Sequence, residues 1–146
     1  MEVVTIKTAK VKEVFESKKD LNDCLKWWQE KLFLTDWIIR AKIVSPNEFS
    51  LGPDQMGENT LDLVNKCSII RIIHPIYYGD CIMKYCAEKI LVHELLHCKY
   101  NWSCDNDTYE SNYVDISEHS LLEQMAKSLI MTKYDLPFDY FIESQE

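Results

Sequence analysis

The chain has 146 residues, 47% of them hydrophobic, with three glycines and four prolines, which suits a single folded domain over residues 1–146 and excludes collagen-like and low-complexity sequences. Its formal net charge of -8 argues against binding to nucleic acid or to an anionic membrane, because both require a basic surface. The six cysteines form no CxxC pair, and no leader peptide or membrane span is recognisable, so we expect reduced thiols and a cytoplasmic protein.

The first two predicted elements are a helix and a strand. Asp20 is a suitable N-cap for the helix, whose apolar face is formed by residues at helical spacing, namely Leu21, Leu25, Trp28 and Leu32. The following stretch, TDWIIRAKIVS, is rich in tryptophan, isoleucine and valine and ends at Pro46. This composition favours a strand.

An irregular connection and two further strands come next. Residues 46–60 contain two glycines and two prolines, which indicates a connection without regular structure. The segments TLDLVN and KCSIIRIIHP are typical of two extended strands, and Pro75 ends the second. IYYGD then predicts a turn.

Two helices fill most of the remaining chain. From about Met83 to Tyr100 no residue breaks a helix, and apolar side chains lie on nearly every side, which is typical of a buried helix. A polar connection, NWSCDNDTYESN, leads to a helix over ISEHSLLEQMAKSLIMTKY that Ser117 can cap. The tail DLPFDYFIESQE predicts a short closing helix or a packed strand. Helices and strands without regular βαβ alternation predict an α+β domain.

The buried helix contains the sequence HELLH, with His93, Glu94 and His97. At about 100° per residue, the two histidines lie only about 40° apart around the helix. Two neutral imidazoles so placed can bind one Zn²⁺, while Glu94 stays off the metal and can take a proton from the water that the ion activates. Core histidines with ordinary polar partners are the alternative, but this apolar helix offers no such partners. We therefore expect a zinc site with Glu94 as the catalytic base.

A catalytic zinc ion needs a third protein ligand and one open position. After His97 the chain reads CKYNWSCDN, without the glycine and third histidine of the metzincin pattern, which excludes that class. The downstream residues that could supply the ligand are Glu110, Asp115, Glu118, His119 and Glu123.

Glu118 is the first choice for the third ligand. It projects from the apolar face of the last helix, and a buried carboxylate requires a partner. Glu123, at the margin of that face, is the alternative third ligand, and His119 ranks after it. Without a metal, Glu118 would be an acid favoured by the helix N-terminus and Glu123 an exposed charge.

LVHELLH, followed by Glu118 at the start of an apolar-periodic helix, resembles the gluzincins, zinc metallopeptidases in which HExxH and a glutamate on the next helix bind the metal. The small size, the tryptophan-rich helix and the DW strand are similar to ImmA/IrrE-type metallopeptidases of phages and bacteria. The resemblance covers about residues 67–131. It departs where EHSLLE replaces the Glu-Ala-Asn run of that type and where Leu122 replaces thermolysin's aspartate.

The resemblance implies a minimal zincin-like domain in which a small, mostly antiparallel sheet packs on the active-site helix and on the following ligand helix. It also implies hydrolysis of a peptide bond, with Glu94 delivering its proton to the leaving amine. The implied substrate is a peptide or protein that adds to a sheet edge formed by CSIIRII. Three residues are available as oxyanion donors and none is assigned: Tyr109, Tyr113 and His119.

The alternative function is a zincin-fold binding or regulatory protein without turnover. In such a protein the zinc would be structural, and a fourth ligand such as Asp115 would close the site. The sequence leaves the oligomeric state open.

Overall fold

The computed structural model of the chain describes residues 9–101 and 109–142, and the side chains of the second range from residue 116 onward. The elements in chain order are α1 (Lys18–Lys31), β1 (Ile38–Val44), β2 (Gly57–Asp62), β3 (Cys67–Ile73), α2 (Ala87–Lys99) and α3 (Tyr109–Tyr134). Three helices and one three-stranded sheet confirm the predicted α+β class.

The sheet has the strand order β1-β3-β2, with β3 in the centre. β1 runs parallel to β3, with Ile38 opposite Cys67, and β2 runs antiparallel to β3, with Gly57 opposite Ile72. One ladder is therefore parallel and the other antiparallel, whereas the resemblance implied mostly antiparallel pairing. The chain reverses direction twice between β1 and β3, once on each side of β2, and β1 and β3 consequently point the same way.

The central position of β3 excludes it as a substrate-binding edge. β3 pairs with β1 over residues 67–73 and with β2 over residues 67–72, so its backbone groups are already used on both sides. The prediction that CSIIRII forms the edge is therefore wrong. Among the described strands, β1 and β2 are each paired on one side only, and β2 is the one that packs against α2.

Helix α1 begins earlier than the sequence predicts. The side chain of Ser17 accepts a hydrogen bond from the backbone of Asp20 at 3.0 Å, so Ser17 is the N-cap and the prediction of Asp20 is wrong. Asp20 instead lies in the first turn and accepts from the backbone of Glu16 at 3.2 Å. The predicted apolar face is confirmed, because Leu21, Leu25, Trp28 and Leu32 are all buried.

Other element boundaries shift by a few residues. β1 and β3 fall inside their predicted segments, but β2 begins at Gly57, within the stretch predicted to be irregular. α2 begins at Ala87 rather than Met83, and Met83 instead forms an isolated antiparallel bridge with Ile142 of the tail. α3 begins at Tyr109, inside the predicted polar connection, and residues 102–108 of that connection lie outside the described residues.

A buried carboxylate joins α2 to its surroundings. Glu88, in the first turn of α2, is fully buried and accepts hydrogen bonds from Trp28 Nε1 at 2.8 Å, from the backbone of Lys12 at 2.9 Å and from Tyr134 Oη at 2.7 Å. Lys133 Nζ lies 3.0 Å from the same carboxylate. A buried charge is tolerated when it is paired and hydrogen-bonded in this way. These contacts fix the start of α2 against α1 and against the end of α3.

Two further observations concern the cysteines and the helices. Cys24, Cys67, Cys81, Cys86 and Cys98 are free thiols, and Cys104 lies outside the described residues. None of the helices in the described ranges combines the length and the apolar character that a membrane crossing requires.

Candidate metal centre

Helices α2 and α3 bring three histidines together. His93 and His97 lie one turn apart on α2, with their ring centroids 5.2 Å apart. The ring of His119, from α3, lies 5.6 Å from that of His93 and 4.7 Å from that of His97. One nitrogen from each ring lies within 4.8 Å of the other two, so this histidine cluster can hold a metal ion.

The spacing of the nitrogens fits a metal of zinc's size. Nε2 of His93 and Nδ1 of His119 are 3.4 Å apart. Two donors that each lie about 2.0 to 2.1 Å from a tetrahedral ion are separated by about 3.3 Å. The distance between these two nitrogens therefore matches that between two ligands of one ion.

Glu123 forms a hydrogen bond with Nδ1 of the His93 ring. Its Oε2 lies 2.7 Å from Nδ1 of His93, and its Oε1 lies 2.7 Å from Nζ of Lys89. Burial raises the pKa of Glu123, but the hydrogen bond to His93 and the charge of Lys89 outweigh it and lower the pKa to about 2. The carboxylate is therefore ionised at neutral pH and Nδ1 of His93 donates to it, which leaves Nε2 as the ring nitrogen that can bind a metal once it has no proton.

Glu118 lies near His97. Only 1% of its surface is exposed, which confirms that it projects from the packed face of α3. Its Oε1 lies 3.5 Å from Nδ1 of His97. Among the described residues, the group of three ligand atoms that lie within 4.8 Å of one another is formed by the three histidines, so the geometry favours His119 over Glu118 and Glu123. The third-ligand assignments of the two glutamates stay predictions.

The environment of the histidines favours different protonation states. Burial, with the nearby charges of His93 and His119, lowers the pKa of His97 to about 3. His97 is therefore neutral at pH 7, as a metal ligand must be. For His93 burial lowers the pKa, but the hydrogen bond with Glu123 and the charges of Glu94 and Glu123 outweigh it and raise the pKa above its ordinary value.

Glu94 lies beside the histidine cluster in a buried position. It is 5% exposed, and its Oε1 lies 3.9 Å from Nε2 of His97. Burial raises its pKa to about 7, and the charge of His93 opposes this shift in part. A carboxyl group with a pKa near the working pH is suited to accept and return a proton. The catalytic role of Glu94 stays a prediction.

Strand β2 sets the position of Glu94 from the sheet side. The side chain of Asn59 donates to the backbone oxygen of Glu94 at 2.6 Å and accepts from Ser68 Oγ at 2.5 Å. Gly57 lies so close to α2 that a Cβ atom there would come within 2.6 Å of Ile90 Cγ2 and within 3.3 Å of Glu94 Oε2. The absence of a side chain at Gly57 thus allows β2 to approach Glu94 closely.

Gly57→Ala is expected to displace β2 from α2 and to move Glu94. Ile90 is branched at Cβ and buried, so it cannot yield easily, and overpacking of this kind destabilises a fold by about 1 to 3 kcal/mol. Chemical denaturation measures this loss. Gly79→Ala is the matched control, because nothing lies within 4 Å of a Cβ atom at Gly79. Equal stability of the two variants would contradict the close approach.

A cleft of about 490 Å³ opens beside the histidine cluster. His93, Glu94 and His119 lie at its wall together with Gly57. Its apolar lining comes from Met56, Tyr78, Met83 and Ile90. A larger groove of about 920 Å³ runs along residues 9–14, but no histidine or cysteine is among the described residues that line it. The smaller cleft is therefore the candidate functional site.

The structure adds three residues that sequence analysis did not select: Lys89, Gly57 and Asn59. A lysine one turn before the first motif histidine, in an otherwise apolar helix, requires a buried partner, and this signal could have identified Lys89. The sequence has no comparable signal for Gly57 and Asn59, because their roles depend on where β2 packs on α2. The side chains of four residues considered above lie outside the described residues: Tyr109, Glu110, Tyr113 and Asp115.

Comparisons with known proteins add no relative: no protein-family model matches the chain, and neither does any curated protein or solved structure.

Proposed function

We propose that this protein is a zinc-dependent peptidase with His93, His97 and His119 as metal ligands and Glu94 as the general base. The observation that carries the proposal is the convergence of three imidazole nitrogens within 4.8 Å beside a buried carboxyl group whose pKa is raised to about 7. Metal donors next to a group poised to transfer protons are the combination that hydrolysis of an amide requires.

Three imidazoles form a donor set that suits zinc, and three protein ligands leave a tetrahedral ion one open position. When bound, zinc supplies the Lewis acidity that brings the pKa of a water molecule to about 7 and polarises a carbonyl group. The carboxylates of Glu123 and Glu118 lie against the Nδ1 atoms of His93 and His97. The hydrogen bond between Nδ1 of His93 and Glu123 leaves Nε2 of that ring to bind the ion.

Glu94 performs the proton transfers in this proposal. It takes a proton from the attacking water as the new carbon–oxygen bond forms, and it passes that proton to the amine nitrogen as the carbon–nitrogen bond breaks. Its burial keeps bulk water away from the carboxyl group. The hydrogen bond from Asn59 to its backbone holds the residue at the floor of the cleft.

The free edge of β2 is the proposed binding site for an extended peptide. β2 is paired with β3 on one side only among the described strands, and Met56 and Gly57 at its start line the cleft together with Glu94. A peptide that pairs with this edge would pass the histidine cluster with one side chain in the apolar part of the cleft. The proposed substrate-binding edge is therefore β2 and not β3, which the sequence analysis predicted.

Removal and restoration of metal test the proposal. The chelated protein should cleave no member of a mixed peptide library, and one equivalent of Zn²⁺ should restore cleavage, detected as new termini by mass spectrometry. Cleavage that survives complete metal removal would contradict the zinc requirement. A folded, zinc-loaded chain that cleaves no peptide would support the alternative of a binding protein without turnover.

A further inference from the structure

Lys89 is a buried lysine that points into the candidate site. It lies one turn before His93 on α2, is 8% exposed and lines the cleft. Burial of an ammonium group is costly unless a partner compensates it. Its partner is Glu123, whose Oε1 lies 2.7 Å from Nζ.

The carboxylate of Glu123 thereby makes two contacts with one helix. Oε1 contacts Lys89 and Oε2 contacts His93 at 2.7 Å, and these two residues of α2 are one turn apart. Because both oxygens are held, rotation of the carboxylate would break at least one charged contact. The side chain of Glu123 is still 29% exposed, so water could compete for either oxygen if the other contact were lost.

We infer that Lys89 is a positioning residue that holds Glu123 on Nδ1 of His93, so that Nε2 of His93 faces the histidine cluster. Its link to metal binding rests on the proposed function, but its effect on the ring of His93 does not require a metal. The side chain of Lys89 is assigned no bond to the metal or to a reacting atom. Its ion pair with Glu123 is the contact that links it to the ring of His93.

The first test reads the tautomer of His93 in metal-free protein, by ¹⁵N NMR at a pH where the imidazole is neutral. The wild-type ring should carry its proton on Nδ1. In Lys89→Met the Nε2-protonated tautomer should appear at His93, while His97, which lies against Glu118, should stay as in the wild type. An unchanged tautomer at His93 in a folded variant would overturn the inference. If Lys89→Met does not fold, Lys89→Gln replaces it.

The second test measures the dissociation constant for Zn²⁺ by competition with a chromogenic chelator. Loss of partners that orient metal-bound histidines weakens metal binding by about 10- to 100-fold, and we expect Lys89→Met to reach about tenfold. Wild-type affinity in this variant would overturn the link to the metal. If the wild type itself binds no zinc, the proposed function fails, while the tautomer in metal-free protein still decides whether Lys89 positions the ring.

Lys127→Met is the matched control for both tests. Lys127 lines the same cleft and lies one turn after Glu123 on α3, but it forms no ion pair within the described part of the chain. Its removal subtracts the same charge and leaves the contacts of Glu123 in place. We expect the wild-type tautomer and a zinc affinity within about twofold of wild type. An effect equal to that of Lys89→Met would indicate a general charge effect and overturn the positioning role.

Discussion

Glu94→Gln is expected to lower kcat for peptide hydrolysis by about 10²- to 10⁴-fold, the range that a positioned general base contributes. Glutamine matches glutamate in size and can keep the buried packing, but its amide cannot accept a proton. The variant should retain its zinc, because Glu94 is assigned no bond to the metal. It should also fold, because the hydrogen bond from Asn59 goes to the backbone oxygen of residue 94 and does not depend on the substituted side chain. Rates on a peptide that the wild type cleaves, measured beside zinc content, provide the test.

Glu30→Gln is the control for the base assignment. Glu30 is exposed on α1, so this substitution makes the same chemical change far from the cleft and should leave kcat at the wild-type value. Two results would count against Glu94 as the base. One is a Glu94→Gln variant that keeps more than a tenth of the wild-type rate, and the other is loss of zinc from that variant.

His119→Ala is expected to weaken zinc binding by more than about 100-fold, because loss of a ligand should exceed the 10- to 100-fold effect of losing a residue that supports one. Glu118→Gln should weaken binding by about tenfold, as a change behind His97 rather than at the metal. This order follows from the 3.4 Å separation between His93 Nε2 and His119 Nδ1. Competition with a chromogenic chelator measures all the affinities.

His74→Ala is the control for the third ligand, since His74 is the remaining histidine of the chain and is exposed outside the cluster. It should bind zinc as the wild type does. The zinc affinity of His97→Ala shows how much binding weakens when one ligand is lost. If Glu118→Gln falls to the level of His97→Ala while His119→Ala retains zinc, Glu118 is the third ligand, as the sequence first suggested, and the three-histidine site is wrong.

The helical motif was the most predictable part of the site. His93 and His97 are four residues apart, and any α-helix places such residues on one face. The apolar residues around them predicted that α2 is buried, and the structure confirms it. These properties depend on local spacing and composition, and for this reason they could be predicted without knowledge of the neighbouring elements.

The position of His119 beside the other two histidines could not be predicted in the same way. Sequence analysis selected Glu118 because it lies on the apolar face of α3, and that placement is confirmed. The histidine cluster, however, lies at the partly exposed margin of the packed interface rather than at its centre. There the structure places His119, which is exposed, together with Glu123 four residues later. His119 and Glu123 are four residues apart, as are the buried residues Glu118 and Leu122. Each member of the first pair lies one position further along α3 than its counterpart in the second.

The amino-acid sequence alone determined the α+β class, the buried helix and the pairing of His93 with His97, because each follows from local periodicity and composition. The tertiary packing decided which residue of α3 joins those histidines, which strand borders the cleft and which carboxylate supports which ring. Those outcomes depend on how α3 and β2 pack on α2, that is, on contacts between residues more than 20 positions apart. No local pattern in the chain encodes such distances.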